Sequence, residues 1–205
     1  MNIEPYNFKY HRKLRGVLID LNRDLFLIDK KMNEIFVFKD DDYDELHFYI
    51  MALEDRRFLQ HCGIDFKSIF RVLFKKLTFQ KSGGASTIDM QMVRTITGFK
   101  EKTFFRKLYE MFLAYIVNFR YSKKKIIDCY LKNAFFGSKL IGIEKVLSSF
   151  NVFSLSDLSD SDKRTIAALL QIPKPLNPDQ NWNDRISRRS LYASKVRSRV
   201  KDSNY

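Results

Sequence analysis

The segment ALEDRRFLQHCGID carries three different reactive side chains at helical spacing. Glu54, Arg57 and His61 stand at positions i, i+3 and i+7, so a continuous helix would place them on one face. The simple interpretation is a surface pair of Glu54 and Arg57 with His61 at the helix end. The alternative is a carboxylate sheltered enough from water to act as a general base.

A second polar face follows a glycine turn at Gly83 and Gly84. Thr87, Gln91 and Arg94 again stand at positions i, i+4 and i+7, opposite an apolar face. A helix start of this kind offers free amides to an anion, and Arg94 could add a charged fork to the same group. The alternative is an ordinary capped helix start.

The segment KTFFRKLYE contains a third candidate group. Glu110 lies four residues after Arg106 and three after Lys107, so the three side chains share one stripe of a helix. One interpretation is an exposed ion pair worth about 0.3 to 0.5 kcal/mol. The other is a second carboxylate beside a cationic pocket, as group transfer from a phosphate leaving group requires.

The composition limits which kinds of protein can position these groups. The 205 residues are 45% hydrophobic, with 19 Phe and 10 Tyr, which excludes a disordered chain and indicates one folded domain with or without an appendage. Only 7 Gly and 4 Pro favour long helices over a many-stranded barrel. A net charge of +13 attracts phosphates, whether of nucleic acid, lipid head groups or a diphosphate substrate.

Two negative observations concern metals and membranes. Cys62 and Cys129 lack the spacing of a zinc site or a disulfide framework. We find no apolar segment typical of a secretory signal, and the longest apolar run, 111–117, is far below the roughly 20 residues that span a bilayer. We therefore expect any membrane contact to be peripheral.

The first part of the chain divides into an appendage and the start of a helical domain. Residues 1–41 contain the short β-like runs GVLIDL, LFLI and EIFVF, which predict a small hairpin or meander. Asp42 and Glu45 then form a candidate capping box, which predicts a helix that ends near Gly63.

The rest of the chain is predicted to be mostly helical. Ser86 is the predicted N-cap of the helix after the glycine turn, with Asp89 completing a capping box. The patterns predict further helices over residues 103–120, 122–133, 142–150 and 161–171. The basic tail, residues 181–205, is predicted to be a solvated helix, with a phosphate or membrane contact as the alternative.

Residues 66–81, FKSIFRVLFKKLTFQK, predict a basic amphipathic helix. Phe66, Phe70, Leu73 and Phe74 lie on its apolar stripe, and lysines and arginines lie elsewhere. From this segment alone, a helix that packs on the core with a solvated lysine face is the favoured interpretation. The alternative is a helix on a membrane surface, with aromatic rings in the acyl boundary and lysines on anionic head groups.

Taken in order, five motifs resemble the peptidoglycan glycosyltransferase family, which comprises the transglycosylase domains of penicillin-binding proteins and their monofunctional relatives. The first motif is resembled by EDRRF together with His61, Gly63 and Asp65. The second motif of the family, GGSTITQQ, is resembled by GGASTIDMQMVR, and the third, RKxxE, by RKLYE. IIDCYLKNAFFG with the GIE at 142–144 is similar to the fourth, and AALLQIPKPLNP to the fifth. The resemblance covers about residues 46–178.

This resemblance implies an all-helical, lysozyme-like fold with two lobes. The domain would span residues 42–180, with a cleft between a larger lobe and a small amphipathic lobe at the membrane. Residues 66–81 would form that small lobe, which reverses the interpretation favoured from the segment alone.

The resemblance also implies an activity and its residues. Such enzymes polymerise lipid II with inversion and release a polyprenyl diphosphate. Glu54 would be the base that takes the proton of the acceptor hydroxyl, and Glu110 the second catalytic carboxylate, near the donor diphosphate. A divalent cation, Mg²⁺ or Mn²⁺, is expected without assigned ligands, and no organic cofactor. The substrate- and diphosphate-binding residues would be Arg57, His61, Ser86, Thr87, Gln91, Arg94, Lys102, Arg106 and Lys107.

The sequence departs from the family pattern without losing either carboxylate. Asp89 and Met90 replace Thr and Gln, Asp128 replaces Glu, Lys132 replaces Asn, and Lys102 replaces Arg. The expected partners are lipid II or a related polyprenyl-diphosphate sugar, the surface of the cytoplasmic membrane on a side the sequence does not fix, and other cell wall synthesis proteins. No nucleic acid is expected, because no nucleic-acid module matches. The alternative function is a catalytically idle scaffold that binds lipid-linked sugars or a partner protein.

Overall fold

The computed structural model describes residues 8–34, 42–80, 84–101 and 103–200, with side chains from residue 15 onward. The described chain is mostly helical, as predicted. Its helices are α1 (Phe8–Asn33), α2 (Glu45–Glu54), α3 (Phe66–Leu77), α4 (Ile88–Thr97), α5 (Phe104–Arg120), α6 (Lys123–Asn133), α7 (Ile143–Ser149), α8 (Asp160–Leu169) and α9 (Gln180–Arg197). Two short strands, β1 (Phe135–Gly137) and β2 (Leu140–Ile141), lie between α6 and α7.

The N-terminal hairpin predicted within residues 1–41 is wrong over residues 8–33, which form the single helix α1. Leu21, Leu25 and Ile28 of the runs GVLIDL and LFLI, with Met32 one turn further on, stand at helical spacing, and this stripe packs on the core. Ile28 and Met32 are fully buried. The third run, EIFVF, lies almost wholly outside the described residues.

The core is built around α2 and α4. Nearly every face of α2 is covered, with Ile50, Met51 and Ala52 fully buried, because the helix packs against α8 and α9. Met92 and Val93 of α4 are equally buried, and α4 packs against α5 and α6. These two central helices therefore hold their polar residues in fixed positions.

Helix α2 begins and ends at different residues from those predicted. Its N-cap is Asp44, whose carboxylate accepts from the Leu46 amide, and His47 completes the capping box; the predicted Asp42 and Glu45 box is wrong. The helix ends at Glu54 and does not continue to Gly63. It ends there because Asp55 adopts a non-helical conformation, and its carboxylate accepts hydrogen bonds from elsewhere in the fold.

The later helices begin close to the predicted positions. Thr87 caps α4 through its hydroxyl, so the predicted cap at Ser86 is wrong by one residue. Thr103 caps α5 and Ser122 caps α6, so these two helices begin one residue after the predicted starts at 103 and 122. Each cap accepts a hydrogen bond from a backbone amide in the first turn, which satisfies a donor that the helix leaves unpaired.

The fourth and fifth motifs meet at the small sheet, which the sequence did not predict. β1 and β2 pair antiparallel, with Phe135 opposite Ile141. The Ser138 amide donates to the Lys174 carbonyl at 2.7 Å, and the Lys174 amide donates to the Phe136 carbonyl at 2.9 Å. A side chain at Gly137 would lie 2.4 Å from the Lys174 carbonyl oxygen, so only glycine allows this approach.

Helix α3 does not pack on the core. None of its residues is buried, so the interpretation of 66–81 as a core-packed helix is wrong. Phe66, Phe70 and Phe74 are each at least 60% exposed. Asp65 caps the helix by accepting from the Ser68 amide.

The basic tail forms a helix that is solvated on one face only. Ile186, Ala193 and Val196 of α9 are buried, and α9 packs against α2 and α8. Residues 201–205 of the tail lie outside the described part of the chain. Among the helices that the structure describes, we find none with the length and apolar character needed to cross a membrane.

Candidate active site

A cleft of about 780 Å³ separates α3 from the helical body. Its wall on the α3 side carries Ser68, Arg71 and Lys75. The body contributes Leu53, Glu54, Asp55, Arg56, Arg57, Asp65, Gly84, Ala85, Ser86, Thr87, Gln91, Arg94, Gln171, Arg189 and Tyr192. The cleft therefore collects side chains from the end of α2, the start of α4 and α9.

Glu54 is the carboxylate at the centre of this arrangement. It is the last residue of α2, and its Oε2 accepts a hydrogen bond of 2.8 Å from the Gln91 amide. Its other oxygen, Oε1, is buried and has no hydrogen-bond partner among the described residues. One oxygen is thus held in place while the second keeps its full capacity to accept a proton.

Tyr130 fixes the direction in which the Gln91 amide points. The Tyr130 hydroxyl donates to Gln91 Oε1 at 2.9 Å, and the side chain is only 5% exposed. Burial raises the pKa of Tyr130 above its ordinary value, so the phenol stays neutral and remains a donor. Because the amide oxygen is occupied, the NH₂ group of Gln91 faces Glu54.

Thr87 and Ser86 lie at the start of α4 on the cleft wall. The buried Thr87 hydroxyl donates to the Gly63 carbonyl at 2.7 Å and accepts from the Met90 amide at 3.2 Å. Thr87 therefore fastens the loop before α3 to α4. Ser86 accepts a hydrogen bond of 2.8 Å from the Lys107 ammonium, which ties α5 to the cleft.

Glu110 is fully buried, so the exposed ion pair considered for it is wrong. Its carboxylate pairs with Arg106 and with Lys107, the latter at 2.7 Å. Burial lowers the pKa of Lys107, although the hydrogen bond to Glu110 opposes this effect. None of these three side chains is part of the cleft wall, and their link to it is the contact of Lys107 with Ser86.

The predicted common face of Glu54, Arg57 and His61 does not form, because α2 ends at Glu54. Arg57 does line the cleft, where its guanidinium contacts Asp65 at 3.1 Å. Burial would raise the pKa of Asp65, but hydrogen bonds from Ser68 and the charge of Arg57 outweigh it and hold the pKa below the usual range. His61 does not line the cleft, and its side chain is 4% exposed.

His61 belongs to a buried charge centre that includes Asp55, the residue after Glu54. Its Nε2 lies 2.9 Å from Asp55 Oδ2, which also accepts from the Ile88 amide at 3.2 Å. Asp89 is fully buried, and the Lys123 ammonium lies 3.0 Å from one of its oxygens and 3.1 Å from the other. Burial lowers the pKa of Lys123, and Asp89 opposes that shift.

Within the described chain, one group of side chains could hold a metal ion. It consists of Asp55, His61 and Asp89, whose ligand atoms all lie within 4.8 Å of one another. The Lys123 ammonium already contacts both Asp89 oxygens, and Asp55 already accepts from His61 and a backbone amide. A cation therefore occupies this centre as a lysine side chain. The residues present do not fit a resident divalent cation, and we assign it no step of the reaction.

The cleft is strongly cationic. Six basic side chains line it against three carboxylates, and within the described residues only Arg57 of the six pairs with one of those carboxylates. The five basic side chains without such a partner are Arg56, Arg71, Lys75, Arg94 and Arg189. Lys102, the remaining predicted phosphate-binding residue, lies outside the described residues. A cavity with this excess of positive charge favours a ligand with several negative charges.

Several residues of the site were missed by the sequence interpretation. Tyr130 lies on α6, and Tyr192 lies on α9; neither shares a local spacing with Glu54. The sequence interpretation places Arg189 only within the basic tail. The alternative of a phosphate contact for that tail was the one indication that Arg189 could bind an anion. Lys123 was not singled out, and Asp89 was noted only as a helix cap and as a departure from the family pattern.

Comparisons with known proteins identify the family of this chain. The sequence profile described as Transglycosylase matches residues 27–197. Penicillin-binding protein 2a of Streptococcus pneumoniae is 34% identical over 140 residues, which cover 68% of this chain and 19% of the relative. Penicillin-binding protein 1F of Bacillus subtilis is 35% identical over 140 residues, covering 66% and 20%.

A third relative is similar over most of its own length. The monofunctional glycosyltransferase of Staphylococcus haemolyticus is 30% identical over 192 residues, which cover 89% of this chain and 70% of the relative. By contrast, the match spans only about a fifth of the penicillin-binding proteins. The chain belongs to the transglycosylase family, the peptidoglycan glycosyltransferases that its five motifs resemble.

Proposed function

We propose that this chain polymerises lipid II, or a related polyprenyl-diphosphate sugar, in peptidoglycan synthesis. The observation that carries the proposal is Glu54 Oε1. Within the described part of the chain this carboxylate oxygen has no hydrogen-bond partner, and five cations of its cleft pair with no cleft carboxylate. A base beside an anion-binding surface is what glycosyl transfer from a diphosphate requires.

Glu54 acts as the general base. Gln91 holds Oε2, so Oε1 accepts the proton of the acceptor sugar hydroxyl as the hydroxyl oxygen attacks the anomeric carbon of the donor. The new glycosidic bond forms while the bond from the anomeric carbon to the diphosphate breaks on the opposite face. This single displacement inverts the configuration and releases the polyprenyl diphosphate.

The cations of α4 and α5 meet the charge that develops on the leaving diphosphate. Arg94 lines the cleft, and Lys107 reaches the cleft wall through Ser86. Glu110 holds Arg106 and Lys107 in place, so its part in the reaction is to fix these cations before the charge develops. Lys102 is proposed to join them, on the resemblance alone. A divalent cation accompanying the diphosphate stays a prediction, because no described group fits as its resident site.

The substrate carries a lipid, so the cleft must open at a membrane surface. The exposed Phe66, Phe70 and Phe74 of α3 adjoin Arg71 and Lys75 in the cleft wall. We propose peripheral binding of α3 to the cytoplasmic membrane, with aromatic rings in the acyl boundary and cations on anionic head groups. Binding to other cell wall synthesis proteins remains a prediction.

The test is polymer formation by purified protein incubated with lipid II and Mg²⁺ or Mn²⁺, with glycan chains resolved on a gel. Glu54→Gln should lower turnover by roughly 10² to 10⁴, because the amide cannot accept the proton. Glu45→Gln is the matched control, since Glu45 begins the same helix, is exposed, and pairs with Arg197 outside the cleft. A parallel reaction with a chelator tests whether polymerisation requires the divalent cation.

Two outcomes contradict the proposal. Wild-type turnover in Glu54→Gln would show that Glu54 is not the base. Lipid II binding without polymer from the wild-type protein would favour the catalytically idle scaffold instead.

A further inference from the structure

Helix α9 contributes two side chains to the cleft, although it lies beyond the five motifs. Arg189 and Tyr192 stand one turn apart on α9 and line the cleft together with Arg56, which follows the end of α2. The buried face of α9 packs on α2 and α8, so the position of the pair is fixed by the core. These residues are not part of the catalytic arrangement described above.

The two guanidinium groups meet at one phenol. Arg56 Nη2 donates to the Tyr192 hydroxyl at 2.9 Å, while its Nε donates to the Ala52 carbonyl at 3.2 Å. The guanidinium carbon of Arg189 lies 4.9 Å from the centre of the Tyr192 ring. Among the described residues, neither arginine contacts a carboxylate, and Arg189 Nε is buried without a hydrogen-bond partner.

Within the part of the chain that the structure describes, this arrangement leaves two positive charges beside one ring without a counter-charge. Two cations held near one ring repel each other, and a buried N–H without an acceptor is unfavourable. A bound oxyanion relieves both effects, because guanidinium groups bind carboxylate and phosphate oxygens through paired N–H donors. The Tyr192 ring keeps both arginines oriented toward the cavity.

We propose that Arg56, Arg189 and Tyr192 form a second oxyanion subsite of the cleft, which binds a phosphate or carboxylate group of the lipid-linked glycan. The residues of this subsite lie on α9 and directly after α2, whereas Arg94 and Lys107 lie on α4 and α5. The inference rests on the proposed function, since it assumes that the cleft takes such a substrate. Binding at this subsite acts on substrate affinity, so it should affect KM more than kcat.

The test compares Arg189→Gln with Arg188→Gln. Arg188 is the adjacent residue on the same helix, it is exposed, and it does not line the cleft, so both variants lose the same charge. We expect Arg189→Gln to weaken equilibrium binding of lipid II in detergent, and to raise its KM, by about tenfold or more. Arg188→Gln should bind as the wild type does.

Two further variants separate a binding role from a folding defect. Arg56→Gln should weaken binding in the same way as Arg189→Gln. Tyr192→Phe keeps the ring and loses only the hydroxyl that holds Arg56, so it should give a smaller loss. Thermal melting of each variant identifies any that fail to fold.

Two probes identify the source of the oxyanion. If the subsite takes a phosphate, Arg189→Gln also weakens binding of inorganic diphosphate and the defect persists with lipid II whose peptide carboxylates are amidated. If it takes a carboxylate, diphosphate binding is unchanged and the defect disappears with the amidated substrate.

Folded Arg189→Gln and Arg56→Gln proteins that bind lipid II as tightly as Arg188→Gln would overturn the subsite. This result is distinct from failure of the proposed function, because the binding measurement does not require turnover. A wild-type protein that binds lipid II without polymerising it would still report on the subsite. A wild-type protein that does not bind lipid II at all would overturn both.

Discussion

At the scale of single residues, the direction of one amide decides what Glu54 can do. Gln91 presents its NH₂ group to Glu54 because the Tyr130 hydroxyl occupies its oxygen. The reversed amide would point its carbonyl oxygen at the carboxylate, and Glu54 Oε2 would lose the hydrogen bond that holds it. Tyr130 therefore positions the base without touching the substrate.

Removing the Tyr130 hydroxyl should therefore lower the rate of polymerisation. In Tyr130→Phe the Gln91 amide is free to reverse, so Glu54 Oε2 loses the hydrogen bond that holds it. We expect roughly tenfold lower kcat with an unchanged KM, because the base loses its orientation while the substrate-binding surface stays intact. The measurement is the initial polymerisation rate as a function of lipid II concentration.

A merely structural role for Tyr130 gives a different result. Lost packing would lower the Tm together with kcat. Tyr115→Phe is the control, because Tyr115 is exposed and no hydrogen bond of its hydroxyl is found among the described residues. A Tyr130→Phe protein that melts with Tyr115→Phe but has a lower kcat would support the positioning role, and equal kcat values would contradict it.

The residues of the site differ in how far the sequence could predict their positions. Gln91 and Arg94 are one helical turn apart on α4, so their shared face followed from spacing and is observed. Glu54 and His61 were placed on one face by the same reasoning, which failed because Asp55 ends α2 to pair with His61. A local pattern cannot show a hydrogen bond that replaces the next turn of a helix.

At the scale of elements, α3 is the helix whose burial differs most from the interpretation favoured for its segment alone. Its apolar stripe satisfies the pattern of a core helix, yet Phe70 is 69% and Phe74 67% exposed. Periodicity reveals that one face is apolar but not what covers that face. Large exposed apolar patches of this kind mark interaction surfaces.

Replacing this surface should abolish binding to membranes. Phe70→Asp with Phe74→Asp places two charges where the rings would enter the acyl boundary, so we expect at least tenfold weaker co-sedimentation with anionic vesicles. Phe153→Asp with Leu191→Asp is the matched control, because both residues are exposed apolar side chains outside α3. Equal binding by the two double variants would show that α3 is not the membrane contact.

The helices that were predicted well share a local signal. Thr103 and Ser122 each accept a backbone amide hydrogen bond in the first turn, so those helix starts follow from the residue type alone. No side-chain cap marks the start of helix α1 among the described residues. Its apolar runs are compatible with short strands and with a helix. Packing of Ile28 and Met32 on the core decided between them.

At the scale of the whole molecule, the buried charge centre joins segments from across the chain. Asp55 follows α2, His61 lies in the next loop, Asp89 is on α4, Asn118 on α5 and Lys123 on α6. Asn118 donates to Asp89 at 2.8 Å. No sequence spacing could bring these residues together, because each contact depends on the packing of separate helices. The centre fixes the ends of the elements that carry Glu54 and Gln91.

Lys123 is the cation on which this centre depends, and its removal should destabilise the whole fold. It lies in the first turn of α6, where the helix dipole disfavours a cation, so its pairing with Asp89 outweighs an unfavourable position. Lys123→Met leaves Asp89 buried without a counter-charge, at a cost of about 3 to 5 kcal/mol. For a domain of this size we expect the Tm to fall by roughly 6 to 20 °C.

A second substitution and a control test this explanation. Adding Asp89→Asn to Lys123→Met should restore much of the lost stability, because the buried charge is then removed. Lys145→Met is the control, because Lys145 is an exposed lysine on α7. A Lys123→Met protein that melts with the control would show that Asp89 does not need this partner.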